Sequence, residues 1–246
     1  ICKICYSRIS DMIHSNIRDI DGKVLYSTLE LISKIDPELK PQINNLTIET
    51  SLSFINSTFL EKRFDGLKQL VKICNNQNSK EIYDKLKQTN SLDNLLKNFH
   101  QQLIKPFISL LVIFEKNNLP ILDYLSSYWE IANEQQSATS RQFFKELEVF
   151  FTDPSIKPIF LSRELNETFS FISESLTFSY AALKFLRFIS KYANDQNKEQ
   201  IFNSLLIFSA SFETVQRELS DTILMYMPTT IETKPRILSD AFEMIR

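Results

Sequence analysis

Cys2-Lys3-Ile4-Cys5 places two thiols at the spacing used by redox dithiols and by half of a zinc site. A structural zinc needs a second ligand pair, and a thiol nucleophile needs a histidine beside it to take its proton. Only Cys74, His14 and His100 remain as further cysteines and histidines. His14 lies more than two helical turns past Cys5. Around the pair, Ile1, Ile4, Ile9, Met12 and Ile13 recur at helical spacing. Cys2, Cys5 and Cys74 are therefore expected to be small buried apolar side chains, and three cysteines do not make a disulfide framework for a chain of 246 residues.

Glu146 and Glu148 stand two apart, an offset that points helical side chains in different directions, as on a solvated face and unlike an acid–base pair. Lys184, Arg187 and Lys191 form a basic stripe. With Phe185, Leu186, Phe188 and Ile189 between them it reads as the wet side of an amphipathic helix, phosphate contact being the lesser alternative. Trp129 and the 20 phenylalanines read as core. No Gly-rich phosphate cradle is present. No catalytic, cofactor-binding or metal-ligating residue is assigned, and no cofactor is expected.

The elements that carry these residues follow from composition. Two glycines, Gly22 and Gly66, stand against eight prolines. Sheet turns, P-loops and most catalytic loops need residues at positive φ, which glycine supplies without steric cost. A chain this poor in glycine must turn its corners with Asn, Asp, Ser and Pro, which suits helix-to-helix connections. The fold class is all-α. A net charge of −2 gives no reason to expect a nucleic-acid surface, and the apolar run around 107–114 is too short to span a membrane.

Apolar periodicity predicts helices over 1–17, 24–35, 47–54, 79–87, 92–97, 100–116, 119–132, 140–151, 157–161, 164–175, 178–192, 198–212, 214–227 and 235–245. Asp36-Pro37-Glu38 opens a short element. Pro106 either restarts or kinks the 100–116 helix. Between 58 and 74, Thr58 has the spacing of an N-cap with Glu61 reaching back. Leu60, Phe64, Leu67, Leu70, Val71 and Cys74 fall on one face of that helix, and Glu61, Lys62, Asp65, Lys68 and Lys72 largely on the other. Gly66 costs it about 1 kcal/mol relative to Ala, and close approach of a neighbouring helix is the expected reason for it. Asn75 to Asn78 end it.

About a dozen short helices joined by short turns favour stacked antiparallel pairs, an α-solenoid of armadillo/HEAT-like hairpins, over a closed bundle. Residues 1–246 are expected to be a single helical-repeat region. The chain opens at Ile1 within an apparent helix, so a segment of a longer chain is expected.

Two blocks carry a resemblance. FLEKRFDGLKQLVKI (59–73) resembles a helix of the form Glu-Lys-Arg-x-x-Gly/Ala-Leu in the helical scaffold of very large ubiquitin carboxyl-terminal hydrolases of the fat-facets type. FHQQLIKPFISLLVIFEKNNLPILDYLSSYWEIANEQQ (99–136) is similar to a second block of those proteins, with His100, Leu103, Ile104, Lys105, Leu119, Leu122 and Trp129 at matching positions. SRQFFKELEVFF (140–151) would be the next helix. The chain departs from the family at Pro106, where a basic residue is usual, and at 133–136, where a charged turn is usual. The family's glycine-rich Cys and His boxes are absent, so no catalytic role carries over. The resemblance implies a non-catalytic α-solenoid that positions the protease domain of a cysteine-type deubiquitinase and binds protein substrates or adaptors, with neither nucleic acid nor membrane as partner. An unrelated armadillo/HEAT adaptor or transport factor is the alternative. Free cysteines without a targeting segment suggest the cytoplasm, with a nuclear pool allowed.

Overall fold

The computed structural model describes residues 1–16, 20–97, 100–134, 138–175, 177–209 and 216–227. Every regular element among them is helical. The helix expected over 235–245 lies outside the described residues. The chain divides into two compact units, 1–119 and 120–246.

In the first unit, helices α1 (Cys2–Asn16) and α2 (Gly22–Ile35) precede a 3-10 turn at Pro37–Leu39. Asp21 caps α2, its carboxylate accepting the Val24 amide at 3.0 Å. Next come α3 (Lys40–Ile55), α4 (Leu60–Ile73), α5 (Ser79–Gln88), α6 (Ser91–Lys97) and α7 (Gln101–Lys116). Helix α3 extends well before the expected start at 47. Pro41 sits in its first turn, where a missing amide costs nothing, and Thr47 and Thr50 return their hydroxyls to the carbonyls of Ile43 and Leu46 at 2.7 Å. Those threonines are buried, so α3 is enclosed nearly all round and carries no clean amphipathic stripe. Leu25, Leu29 and Ile32 of α2 pack with Ile43, Leu46 and Phe54 of α3 in the core of this unit.

The capping box expected at Thr58 does not form. Phe59 is the N-cap residue of α4 and makes no side-chain cap, while Ser57 Oγ accepts the Phe59 amide at 3.2 Å. The buried stripe of α4 is also turned from the expected one: Arg63, Gly66, Leu67, Leu70 and Cys74 are buried, whereas Leu60, Phe64 and Val71 are half-buried. Pro106 neither restarts nor ends α7. The carbonyl deprived of an i+4 amide belongs to exposed Gln102, where water can serve it.

Corners are turned as the composition requires. Among the described residues Asn90 (φ 49°) and Asn118 (φ 59°) hold the positive-φ positions, and neither glycine does. At the end of α4 the Asn75 and Asn78 carboxamides accept the Gln77 and Asn75 amides at 2.8 Å, and Asn78 Nδ2 donates to the Ile73 carbonyl at 3.0 Å.

The second unit contains α8 (Leu122–Glu134), α9 (Ala138–Leu147), α10 (Val149–Thr152), α11 (Lys157–Arg163), α12 (Leu165–Ser173), α13 (Tyr180–Ile189), α14 (Asp195–Ser209) and α15 (Gln216–Tyr226). A 3-10 turn, Ser190–Tyr192, extends α13. Its core is aromatic: Trp129 meets Phe144 edge-on at 5.0 Å, and Phe151 meets Phe160, Phe185 and Tyr192 at 5.4, 5.8 and 5.4 Å. Ser179 caps α13 through the Ala182 amide, and its own amide donates to buried Asn133 Oδ1 at 3.1 Å, tying α8 to α13. Tyr226 donates to the Leu186 carbonyl at 2.8 Å, tying α15 to α13.

Candidate functional site

The chemistry-bearing residues do not converge. Cys74 is buried, but Cys5 is exposed and Cys2 half-buried, so the expectation of three buried cysteines holds for one. Cys2 packs at the edge of the core with Tyr6 and Ile9 of α1, whereas Cys5 is exposed. His14 Nδ1 faces the Ser10 carbonyl of its own helix at 2.6 Å. His100 is the N-cap of α7, its Nδ1 accepting the Gln102 amide at 3.2 Å. Among the described residues no three His, Cys, Asp or Glu side chains come together as a metal-holding group. No helix among them is long and apolar enough to cross a membrane.

What the fold builds instead is a cleft of about 490 Å³ at the start of α4, between the first turn of α2 and Gln102 of α7. Its walls carry Asp21, Lys23, Glu61, Lys62, Phe64 and Asp65. Glycine makes this geometry possible twice. A Cβ on Gly22 would lie 2.9 Å from Asp65 Oδ2 and 2.9 Å from the Phe54 ring. A Cβ on Gly66 would lie 2.7 Å from the Ser51 carbonyl oxygen and 2.9 Å from Phe54 Cβ. Both glycines thus pack against Phe54, and the expected close approach at Gly66 is present.

Asp65 is half-buried beside Gly22, and burial pushes its carboxyl above the usual carboxylate range. Asp21 and Glu61 push the same way, and Lys23 and Lys68 oppose them. Tyr26, beneath, stays protonated because burial raises its hydroxyl, which is hydrogen-bonded to Ser51 Oγ at 2.9 Å. Lys62 Nζ lies over the Phe54 and Phe59 rings, 5.4 and 5.9 Å from their centres. The described residues lining the cleft include no thiol, hydroxyl or imidazole. The arrangement offers charge of both signs beside an aromatic wall, the chemistry by which a polar ligand is recognised.

The sequence pattern marked Glu61, Lys62 and Gly66 as one helix but gave no sign that Asp21 to Lys23 would face them. Asp65 was assigned to the outer face of α4, and only the neighbouring α2 buries it.

The basic stripe falls on α13 and its 3-10 extension. Lys184 and Lys191 are exposed, and Arg187 pairs with Asp221 at 3.3 Å. Comparison with known protein families, with curated proteins and with solved structures finds no match to the chain.

Proposed function

We propose that this chain is a non-catalytic α-solenoid of armadillo/HEAT-like stacked hairpins belonging to a large cysteine-type deubiquitinase. In that role it positions the protease domain and binds protein substrates or adaptors, in the cytoplasm with a nuclear pool. The supporting observation is the behaviour of the first resembling block. Residues 60–73 form one helix, and its glycine is the only residue type that lets α3 approach to backbone contact. The second block supports the same reading: described residues 100–134 form α7, capped by His100, and α8, with Trp129 buried.

An activity-based ubiquitin probe tests it, applied to the whole protein and to the 246-residue chain alone. Labelling of the whole protein with a silent chain is the expected result. Silence of both would replace the reading with that of an armadillo/HEAT adaptor. Labelling of the chain itself would overturn its non-catalytic character.

A further inference from the structure

Along one side of α13 and its 3-10 extension run Tyr180, Lys184, Phe188 and Lys191, at offsets that place them above one another. Lys184 Nζ lies 4.5 Å from the centre of the Tyr180 ring, and Lys191 Nζ lies 5.0 Å from Phe188 and 5.1 Å from Tyr192. Lys157, brought in by α11, lies 5.2 Å from the same Tyr192 ring. That ring is anchored, its hydroxyl donating to the Phe151 carbonyl at 3.3 Å and its face tilted against Phe151.

Among the described residues no carboxylate lies within 4.0 Å of Lys157, Lys184 or Lys191, although Arg187 in their midst has taken Asp221. Among the described residues these three ammonium groups thus lie over aromatic rings with no carboxylate partner, and the rings restrict part of the side-chain freedom that binding would otherwise remove.

We infer that this strip docks an acidic peptide segment of a protein partner, whose carboxylates pair with Lys157, Lys184 and Lys191. The inference rests on reading the chain as a protein-binding scaffold. Lys184 and Lys191 stand seven positions apart, a rise of about 11 Å at roughly 1.5 Å per α-helical and 2.0 Å per 3-10 residue. In an extended polyproline-type segment every third side chain returns to the same side after about 9 Å, so acidic residues three apart match the strip. Nucleic acid fits less well, because base stacking needs open ring faces and these rings already carry ammonium groups.

The test uses the 246-residue chain and a fluorescein-labelled (Glu-Pro-Ser)n peptide, read by anisotropy at low salt. Binding by the wild type, no binding of (Lys-Pro-Ser)n, and a loss of about tenfold or more in K184E/K191E are expected, with K80E in the other unit unchanged. Tyr192→Leu, which removes the ring under Lys157 and one of the two under Lys191, should weaken binding by about threefold, while Tyr192→Phe should not. Peptide binding indifferent to K184E/K191E overturns the inference. So does capture of oligo-dT or of phosphatidylserine vesicles with no binding of the peptide. A silent peptide together with ubiquitin-probe labelling of the whole protein would sink the strip and leave the scaffold reading standing.

Discussion

Gly66 of α4 and Ser51 of α3 meet backbone to backbone: the Ser51 carbonyl oxygen lies 2.7 Å from where the Cβ of any other residue at position 66 would stand. Backbone cannot swing aside as a side-chain tip can. Residue 66 is therefore fixed by a neighbouring helix and not by its own conformation, since its φ is helical.

Gly66→Ala should destabilise the chain even though alanine is the better helix former. Propensity returns about 1 kcal/mol, and over-packing against α3 takes about 1–3 kcal/mol. The balance is a net loss, read as a lower urea midpoint by circular dichroism. Gly22→Ala should cost less. Its nearest obstacles are the Asp65 carboxylate tip and the Phe54 ring edge, and Asp65 can rotate. A Gly66→Ala chain as stable as wild type would show that the α3–α4 approach is looser than described.

Glu30 of α2 links two helices. It accepts hydrogen bonds from Lys72 of α4 and from Lys34 one turn along its own helix, and its carboxyl is held down at about 2, against an ordinary value of 4.5. A depressed folded-state value means that the link contributes above pH 4.5 and is lost as pH falls from 4.5 toward 2. Glu30→Gln should therefore be less stable than wild type at pH 6, with the gap closing by pH 2. The pair is surface-exposed, so about 0.15 M salt should narrow the gap at pH 6. A gap that persists at pH 2 would assign the effect of the substitution to something other than charge.

The all-α class was legible because two glycines leave almost no positive-φ positions, and Asn90 and Asn118 fill the two non-glycine positions found among the described residues. Close approach at Gly66 was legible for the same reason, a rare glycine inside an apolar helix. The turned face of α4 was not. Arg63 is buried with its long aliphatic stem, and sequence patterning treats any arginine as a surface residue. Asp65 was misplaced with it, since its burial comes from α2 and not from its own helix. The strip on α13 was half legible: Lys184 and Lys191 share a helix face, but Lys157 joins them at Tyr192 only through tertiary packing.

The three cysteines should separate cleanly in a labelling experiment. Burial pushes the Cys74 thiol up to about 11 from an ordinary 9, so at pH 8 it is both covered and protonated. A raised folded-state value means that its thiol form favours the fold below pH 9, and that this contribution fades between pH 9 and 11. Peptide mapping after brief iodoacetamide treatment of the native chain should find Cys5 modified first and Cys74 last. In urea all three should react alike. Rapid modification of native Cys74 would contradict the seating of the α4 C-terminus.

Trp129 is the chain's single tryptophan and only 1% exposed, so its emission reports the unit in which it sits, 120–246. Its ring lies among Phe144, Phe171 and Phe185, and its indole nitrogen donates to Ser175 Oγ at 2.7 Å. Native emission should therefore be blue-shifted and resist iodide quenching, moving red on unfolding. Trp129→Phe keeps most of the apolar contact and forfeits the hydrogen bond, a loss of about 1 kcal/mol. Trp129→Ala leaves a cavity between α8, α9 and α13 and should cost about 3–5 kcal/mol, measured by circular dichroism because the fluorophore is gone. The ratio between the two variants is the informative quantity. Equal losses would mean that the hydrogen bond to Ser175, and not aromatic packing, holds α8 in place.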